Sequence, residues 1–212
     1  MRKRAIIGGI LSLVLLVVLA ACYLPNNFKS EIRLGRTGDF ALSYYGELVW
    51  APLFRDIQQN KVPAADIPGK IALIRKDLQR DSGFTSVESM GAGRFEVSYE
   101  HEGHLRPSDM FSFVRRNAVI IEIVASPDGL VRIDGNTLKP SDAQTATTMG
   151  LSVRGEFRII TDGMVKEHNA TTVKTLGPYT IYIWTIENAF SPSPHFAMMR
   201  DGAWTNKEHT AK

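Results

Sequence analysis

Phe28-Lys29-Ser30-Glu31-Ile32-Arg33-Leu34-Gly35-Arg36-Thr37-Gly38-Asp39-Phe40 opens the stretch that decides the fold of this 212-residue chain. Phe28, Ser30, Ile32 and Leu34 share one parity, and charged residues occupy the other. That two-residue period belongs to a strand with one wet face. Arg36-Thr37-Gly38-Asp39 reads as a turn, and Phe40–Leu48 as the returning strand of the hairpin. Working outward, Pro52 suits the first turn of a helix that carries Leu53, Phe54 and Ile57. The strongest helical signal follows Asp66. Ile67, Ile71, Ile74 and Leu78 form one apolar stripe, with Lys70, Arg75, Lys76 and Asp77 directed elsewhere and Gly83 placed to end it.

Strand signals then resume. Met90-Gly91-Ala92-Gly93 separates Phe84–Ser89 from the alternating Phe95–Tyr99. Pro107-Ser108-Asp109 reads as the opening of a short helix with Met110, Phe111 and Val114. Ala118–Val124 is a β-branched run that turns through Ser126-Pro127-Asp128-Gly129 into Leu130–Ile133. Phe157–Thr161, the turn Asp162-Gly163 and the long strand Tyr179–Ile186 follow, before Phe190-Ser191-Pro192-Ser193-Pro194 imposes an irregular exit. Hairpins with the helices grouped early predict an α+β fold: an antiparallel sheet with two or three helices packed on one face. Strictly alternating βαβ units are absent, which argues against a Rossmann-type sheet.

The N-terminal segment carries an address. Arg2, Lys3 and Arg4 precede an uncharged apolar run from Ala5 to Leu19, the layout of a secretory signal. Leu19-Ala20-Ala21-Cys22 resembles the lipobox of bacterial lipoproteins, in which the cysteine sulfur is acylated, with palmitate-type chains, and the signal is cut before it. The chain has one cysteine. Exported domains normally use cysteines in pairs, and a thioether at Cys22 accounts for the odd one. Two other readings stay open, an uncleaved transmembrane anchor over Ala5–Ala21 and an ordinary secretory signal. The resulting organisation is a signal peptide over 1–21, a lipidated N-terminus and tether over 22–27, a single extracytoplasmic domain over 28–203 and a frayed tail over 204–212. The resemblance implies a cell-envelope protein held to a membrane by its acyl chains. Tyr23, standing where aspartate would signal inner-membrane retention, implies the outer membrane if the source is Gram-negative.

Charge excludes one class of partner. Lys and Arg number 25 and Asp and Glu 22, a net of +3. Residues 1–21 hold three of those cations and no acid, so the remainder balances at 22 of each. No basic surplus is left to hold nucleic acid through its phosphates.

The catalytic inventory is thin, and the chain reads as a non-enzyme without cofactor. It has no Gly-x-Ser-x-Gly elbow and no Gly-rich phosphate loop. His101-Glu102-Gly103-His104 is the nearest thing to a metal motif, but zincin chemistry needs histidines four apart on a helix. It is read as a solvated hairpin tip with no metal. Glu96, Glu100 and Glu102 share one strand face and are read as its wet side.

Gly155-Glu156-Phe157-Arg158-Ile159-Ile160-Thr161-Asp162-Gly163, Val165-Lys166-Glu167-His168-Asn169-Ala170 and the run from Tyr179 through Trp184-Thr185-Ile186 resemble the LppM-like family of bacterial lipoproteins, over about the last third of the chain. The resemblance implies an exported α+β domain that accommodates lipid or glycolipid, without established catalysis. Tyr182, Trp184 and Ile186 share one strand face, and Tyr179, Ile181 and Ile183 the other. A strand apolar on both faces lies between layers or lines an apolar cavity. Tyr182, Trp184, His168 and Asn169 are accordingly the candidate ligand-binding residues, against a structural reading of a turn at His168-Asn169 and a core Trp184. Two functions follow. One is a module that binds a lipid or other hydrophobic ligand, marked by an enclosed apolar cavity. The other is an envelope scaffold or assembly factor with a protein partner, marked by a sealed core and an exposed apolar patch.

Overall fold

The computed structural model describes residues 23–115 and 118–202. The signal segment 1–21, the lipidation candidate Cys22 and the tail 204–212 lie outside the described residues. Alternation of apolar and polar side chains dominates the rest, and the described residues form twelve strands, three α-helices and one 3-10 turn.

Seven strands build the larger sheet. In chain order they are β1 (Tyr23–Leu34), β2 (Asp39–Trp50), β3 (Phe84–Gly91), β4 (Arg94–His104), β8 (Gly155–Thr161), β10 (Thr172–Leu176) and β11 (Tyr179–Ile186). Their spatial order is β10-β11-β8-β1-β2-β4-β3. The smaller sheet holds β5 (Met110–Arg115), β6 (Ala118–Ala125), β7 (Leu130–Gly135), β9 (Met164–His168) and β12 (His195–Met199), in the order β5-β6-β7-β12-β9. Hairpins supply most neighbours, as expected. β1 and β8, however, pair in parallel, from Phe28↔Gly155 to Leu34↔Thr161, and β12 is inserted between β7 and β9. The sheets share one core. Ile32, Leu42, Tyr44, Phe95, Tyr99 and Phe157 from the larger one meet Phe113, Ile123, Ile133 and Phe196 from the smaller. Each fully buried aliphatic or aromatic side chain there contributes about 1.5–3 kcal/mol. The alternation that opened the sequence reading is realised, since Phe28, Ser30, Ile32 and Leu34 are buried while Lys29 and Arg33 are exposed.

The α+β expectation is corrected. The fold is mainly β, in two mixed or antiparallel sheets, and its short helices do not share a face. α1 (Ala51–Gln58) and α3 (Pro140–Thr148) enclose a second, smaller core with Leu24, Val49, Leu151 and Val153 on the outer face of the large sheet. α2 (Ile67–Leu78) instead turns its predicted stripe onto the main core, with Leu78 buried and Ile71 and Ile74 packed beside it. Among the described residues no helix is long and apolar enough to cross a membrane.

Two local expectations also fail. The helix expected at Met110, Phe111 and Val114 is strand β5, paired with β6 from Met110↔Val124 to Arg115↔Ala118. Pro107-Ser108 forms a turn that Asp109 closes through the Arg106 N–H at 2.8 Å, with Ser108 at φ +67°. The six residues after it are rich in aromatic and β-branched types, and they complete the open edge of β6. Residues 23–27, expected as a tether, are the first part of β1, where Tyr23, Leu24 and Asn26 are buried.

A polar knot fixes that end of β1. The Glu47 carboxylate is 4% exposed; it accepts from Asn26 Nδ2 at 2.7 Å and from Arg94 Nε and Nη2. Asn26 Oδ1 in turn accepts from Ser152 Oγ at 2.7 Å and the Val153 N–H at 2.9 Å. The register of β1 against β2 shifts between Asn26 and Lys29, with Asn27 at φ +46°. At the other end Arg200 donates to the carbonyls of Leu105 and Thr37, tying the β1–β2 turn to the chain after β4.

Gly46 carries φ +143°, and a Cβ there would stand 2.6 Å from Phe28 Cα. Gly46→Ala is therefore expected to destabilise by about 2 kcal/mol or more, read as a lowered denaturant midpoint at constant slope. Gly69 in α2 has open space around it, and Gly69→Ala should stabilise the fold by roughly 0.5–1 kcal/mol, read as a raised midpoint.

Candidate functional site

Period-two geometry sends the two apolar sides of β11 to opposite faces of the large sheet. Tyr182 and Trp184 point into the core, 8% and 2% exposed. His168 ends β9, and Asn169 begins the loop after it. The fold brings all four expected ligand residues together. Trp184 Nε1 donates to Asn169 Oδ1 at 2.6 Å. The same oxygen accepts the His195 N–H at 2.8 Å, while Asn169 Nδ2 donates to the Ser193 carbonyl at 2.9 Å. Tyr182 stands edge-on to His168 at 4.7 Å and to Phe196 at 5.2 Å, and Trp184 packs on Phe157 at 5.4 Å. Burial raises the Tyr182 hydroxyl above its ordinary pKa. The cluster is a clasp between sheets: the Trp184 indole is bonded to the Asn169 amide, and the rings pack on one another and on Phe157 and Phe196.

One cavity lies beside the core, between Phe28, Ile121, Phe157, Ile186 and Pro194, with a volume of about 70 Å³. Ligand pockets of drug size span roughly 300–1,000 Å³, so this space holds a few waters and no acyl chain. Trp184 and Tyr182 are absent from its wall.

The other face of β11 leads to a larger feature. Tyr179 and Ile181 stand on the outer face of the large sheet, where Ile181 pairs with Ile160 of β8, and Ile160 lies beside Arg33, itself opposite Ala41. With Leu176 from β10 they form an open groove of about 880 Å³. Leu176 is 69% exposed and Tyr179 48%. Arg33, Asp39, Glu102 and His104 make the polar rim. Asp39 Oδ1 lies 2.7 Å from His104 Nδ1, and this hydrogen bond, seconded by one from Thr37, holds the Asp39 carboxyl below its usual value. The double apolar face of β11 thus reflects one side in the core and one in this groove, rather than a strand between layers. The sequence reading missed Leu176, Ile160 and Arg33 as companions, because only the non-local pairing of β8 with β1 and β11 brings them to one place.

The His101-Glu102-Gly103-His104 segment is not a hairpin tip but the last part of β4, paired with β2 from Leu42↔His101 to Asp39↔His104. Residues three apart on a strand face opposite ways. His101 stacks on Phe111 at 4.6 Å, while His104 sits on the outer face with Asp39. The two imidazoles do not converge. Among the described residues no group of three or more His, Cys, Asp or Glu is arranged to hold a metal ion. Glu96, Glu100 and Glu102 do lie exposed on one face of β4.

A separate ionisable group sits on the smaller sheet. His195 Nδ1 lies 2.6 Å from Asp134 Oδ1 and its Nε2 3.4 Å from Glu167. The hydrogen bond with Asp134 above all lifts the imidazole above the ordinary histidine pKa.

No family model matches the chain, and no curated protein matches it. Among solved structures it is similar to the folded domain of LppM from Mycobacterium tuberculosis, an NMR structure, at 8% identity and a TM-score of 0.39, over 84% of this chain and 92% of that one. A likeness of that size carries no inference about this chain's site. The expected resemblance of the C-terminal third thus meets a structural neighbour of that name and no matching family model.

Asn169→Ala removes the acceptor of two N–H groups, and the loss is expected to cost roughly 1–3 kcal/mol, with a change in tryptophan emission as the indole N–H is released. His195 stabilises the fold when protonated. Its contribution is complete below the ordinary value near 6.5 and is lost as pH rises through the higher folded value. The melting temperature of the natural chain, relative to His195→Gln, should therefore fall as pH is raised from 5 to 8.

Proposed function

We propose that this protein is a membrane-anchored cell-envelope lipoprotein, acylated at Cys22 and cleaved before it with loss of residues 1–21, and that its domain is a non-catalytic module which binds an apolar segment of a protein partner in the outer-face groove. One contrast carries the binding part: the cavity beside the core is about 70 Å³, and the exposed groove about 880 Å³. A carrier that hides a lipid needs an enclosed cavity, whereas a docking site needs exposed apolar area with a polar rim. Leu176, Tyr179, Ile181 and Ile160 provide the apolar part, and Arg33, Asp39 and Glu102 give the rim both signs of charge.

Two further features fit a protein partner. β10 is an edge strand, hydrogen-bonded on one side only, to β11, and all five of its residues are exposed. Its outer edge offers unpaired backbone groups that an extended segment can join. The groove also lies toward the Leu34 end of β1, while Cys22 is joined to the Tyr23 end. The eleven steps between the ends of this twelve-residue strand, at about 3.3 Å each, put them roughly 36 Å apart. A domain standing on its anchor holds the groove out into the aqueous compartment. Two or three acyl chains keep it on the membrane essentially permanently.

Cys22→Ser is expected to shift the full chain from the membrane to the soluble fraction of its own cells; retention would mean that the apolar run from Ala5 is kept as an anchor. A photo-cross-linking residue at position 176 should give a protein adduct that disappears with Tyr179→Glu and Ile181→Glu. A lipid adduct there, or a stoichiometric lipid in the native mass of the purified protein, would replace the partner reading with lipid carriage.

A further inference from the structure

The end of the domain nearest Cys22 has a surface of its own. Tyr23 follows Cys22 directly and is 4% exposed, held by its ring contact with Trp50 at 4.7 Å. Successive Cα atoms are about 3.8 Å apart, so no slack exists between residue 22 and the folded body. The C-terminal end of α2 approaches this end of the domain. Asp77 is held by Arg115, and both lie close enough to act electrostatically on the Tyr23 hydroxyl.

With Ile71, Ile74 and Leu78 turned inward, the rest of α2 faces away from the protein. Lys70, Arg75 and Lys76 are exposed along it, and Leu73 is 69% exposed among them. The acid of this helix, Asp77, is taken up by Arg115 and Arg80, which leaves the outward face cationic although the chain after residue 21 is balanced. Cations around a protruding leucine match a bilayer interface, where headgroups take the charge and the apolar side chain enters the boundary below.

We propose that the outward face of α2, through Lys70, Leu73 and Lys76, lies on the anionic headgroups of the membrane that holds Cys22, and so stands the domain upright with its groove turned away. This rests on the acylation of Cys22 proposed above. The occupant is set by continuity with the anchor, since a body joined without slack to a membrane-embedded residue cannot keep its nearest face out of the headgroup layer, and by charge complementarity. Each cation near such a surface strengthens contact roughly fivefold.

The test uses the full chain, acylated in a lipidating host and reconstituted in vesicles of phosphatidylcholine with 30% phosphatidylglycerol. A fluorophore is placed at Leu73→Cys or, in a separate sample, at Leu176→Cys, with nitroxide-labelled lipid as quencher. Both positions are well exposed, so labelling leaves the fold intact, and melting temperature checks it. Quenching is expected at 73 and not at 176, and the excess should be lost with Lys70→Glu/Lys76→Glu, without phosphatidylglycerol or in high salt, while the protein stays vesicle-bound. Bound protein with equal quenching at both positions overturns the proposal and leaves the anchor standing. Protein that does not stay on vesicles overturns the anchor itself.

Discussion

The carboxylate of Glu47 has to be answered inside the protein, and the answer organises the fold. A buried charge without partners costs several kcal/mol. Here Arg94 supplies the countercharge from β4, Asn26 a hydrogen bond from β1, and Ser152 and Val153 complete Asn26 from the loop before β8. Four segments distant in sequence meet at this one group. It holds the irregularity at Asn26–Lys29, and that irregularity decides which β1 side chains face the core. Beyond it, Phe28, Ser30, Ile32 and Leu34 enter the core in strict alternation and β8 can lie alongside.

With a cavity of about 70 Å³ beside the core, the proposed function falls to the surface. The clasp of Asn169, Trp184, His168 and Tyr182 shows the principle: residue types suited to ligand recognition are consumed in joining β11 to the β9–β12 region. What remains is polarised along β1. The Tyr23 end carries α2 with its cations, and the Leu34 end carries the β10–β11 hairpin with its apolar rim. A lipid at Cys22 would convert this polarity into an orientation, one end against the headgroups and the other offered to a partner.

Much of the fold was legible because it is local. The β1–β2 hairpin, the turn at Gly91-Ala92-Gly93, α1, α2 and the β6–β7 hairpin follow from alternation, helical spacing and turn chemistry within a dozen residues. The Met110–Arg115 segment was misread because Pro-Ser-Asp is as good a helix start as a turn, and only the open edge of β6 makes it a strand. Residues 23–27 were misread as tether because Pro25, Asn26 and Asn27 carry the composition of a loop; they are structured because Asn26 answers Glu47. α3 escaped notice because Pro140–Thr148 has no strong apolar stripe, its buried side being the small residues Ala143 and Ala146.

Of the candidate site, the sequence exposed one half. It showed that β11 is apolar on both faces, and Tyr179 and Ile181 do line the groove. Their companions Leu176, Ile160, Arg33 and Ala41 come from four other strands. By itself, then, the sequence determined strands β1–β4, β6–β8 and β11, most of their turns, the inward parity of β1, the α2 stripe and the export-like N-terminal pattern, since each depends on neighbours along the chain. Only the tertiary structure decided that the strands divide into two sheets, that β1 runs parallel to β8, that the helices part between two cores, and that the apolar surface gathers in a groove. Those outcomes depend on pairing between residues far apart in the chain, more than a hundred positions for β1 and β8, where burial and hydrogen-bond satisfaction over the whole chain select the partner.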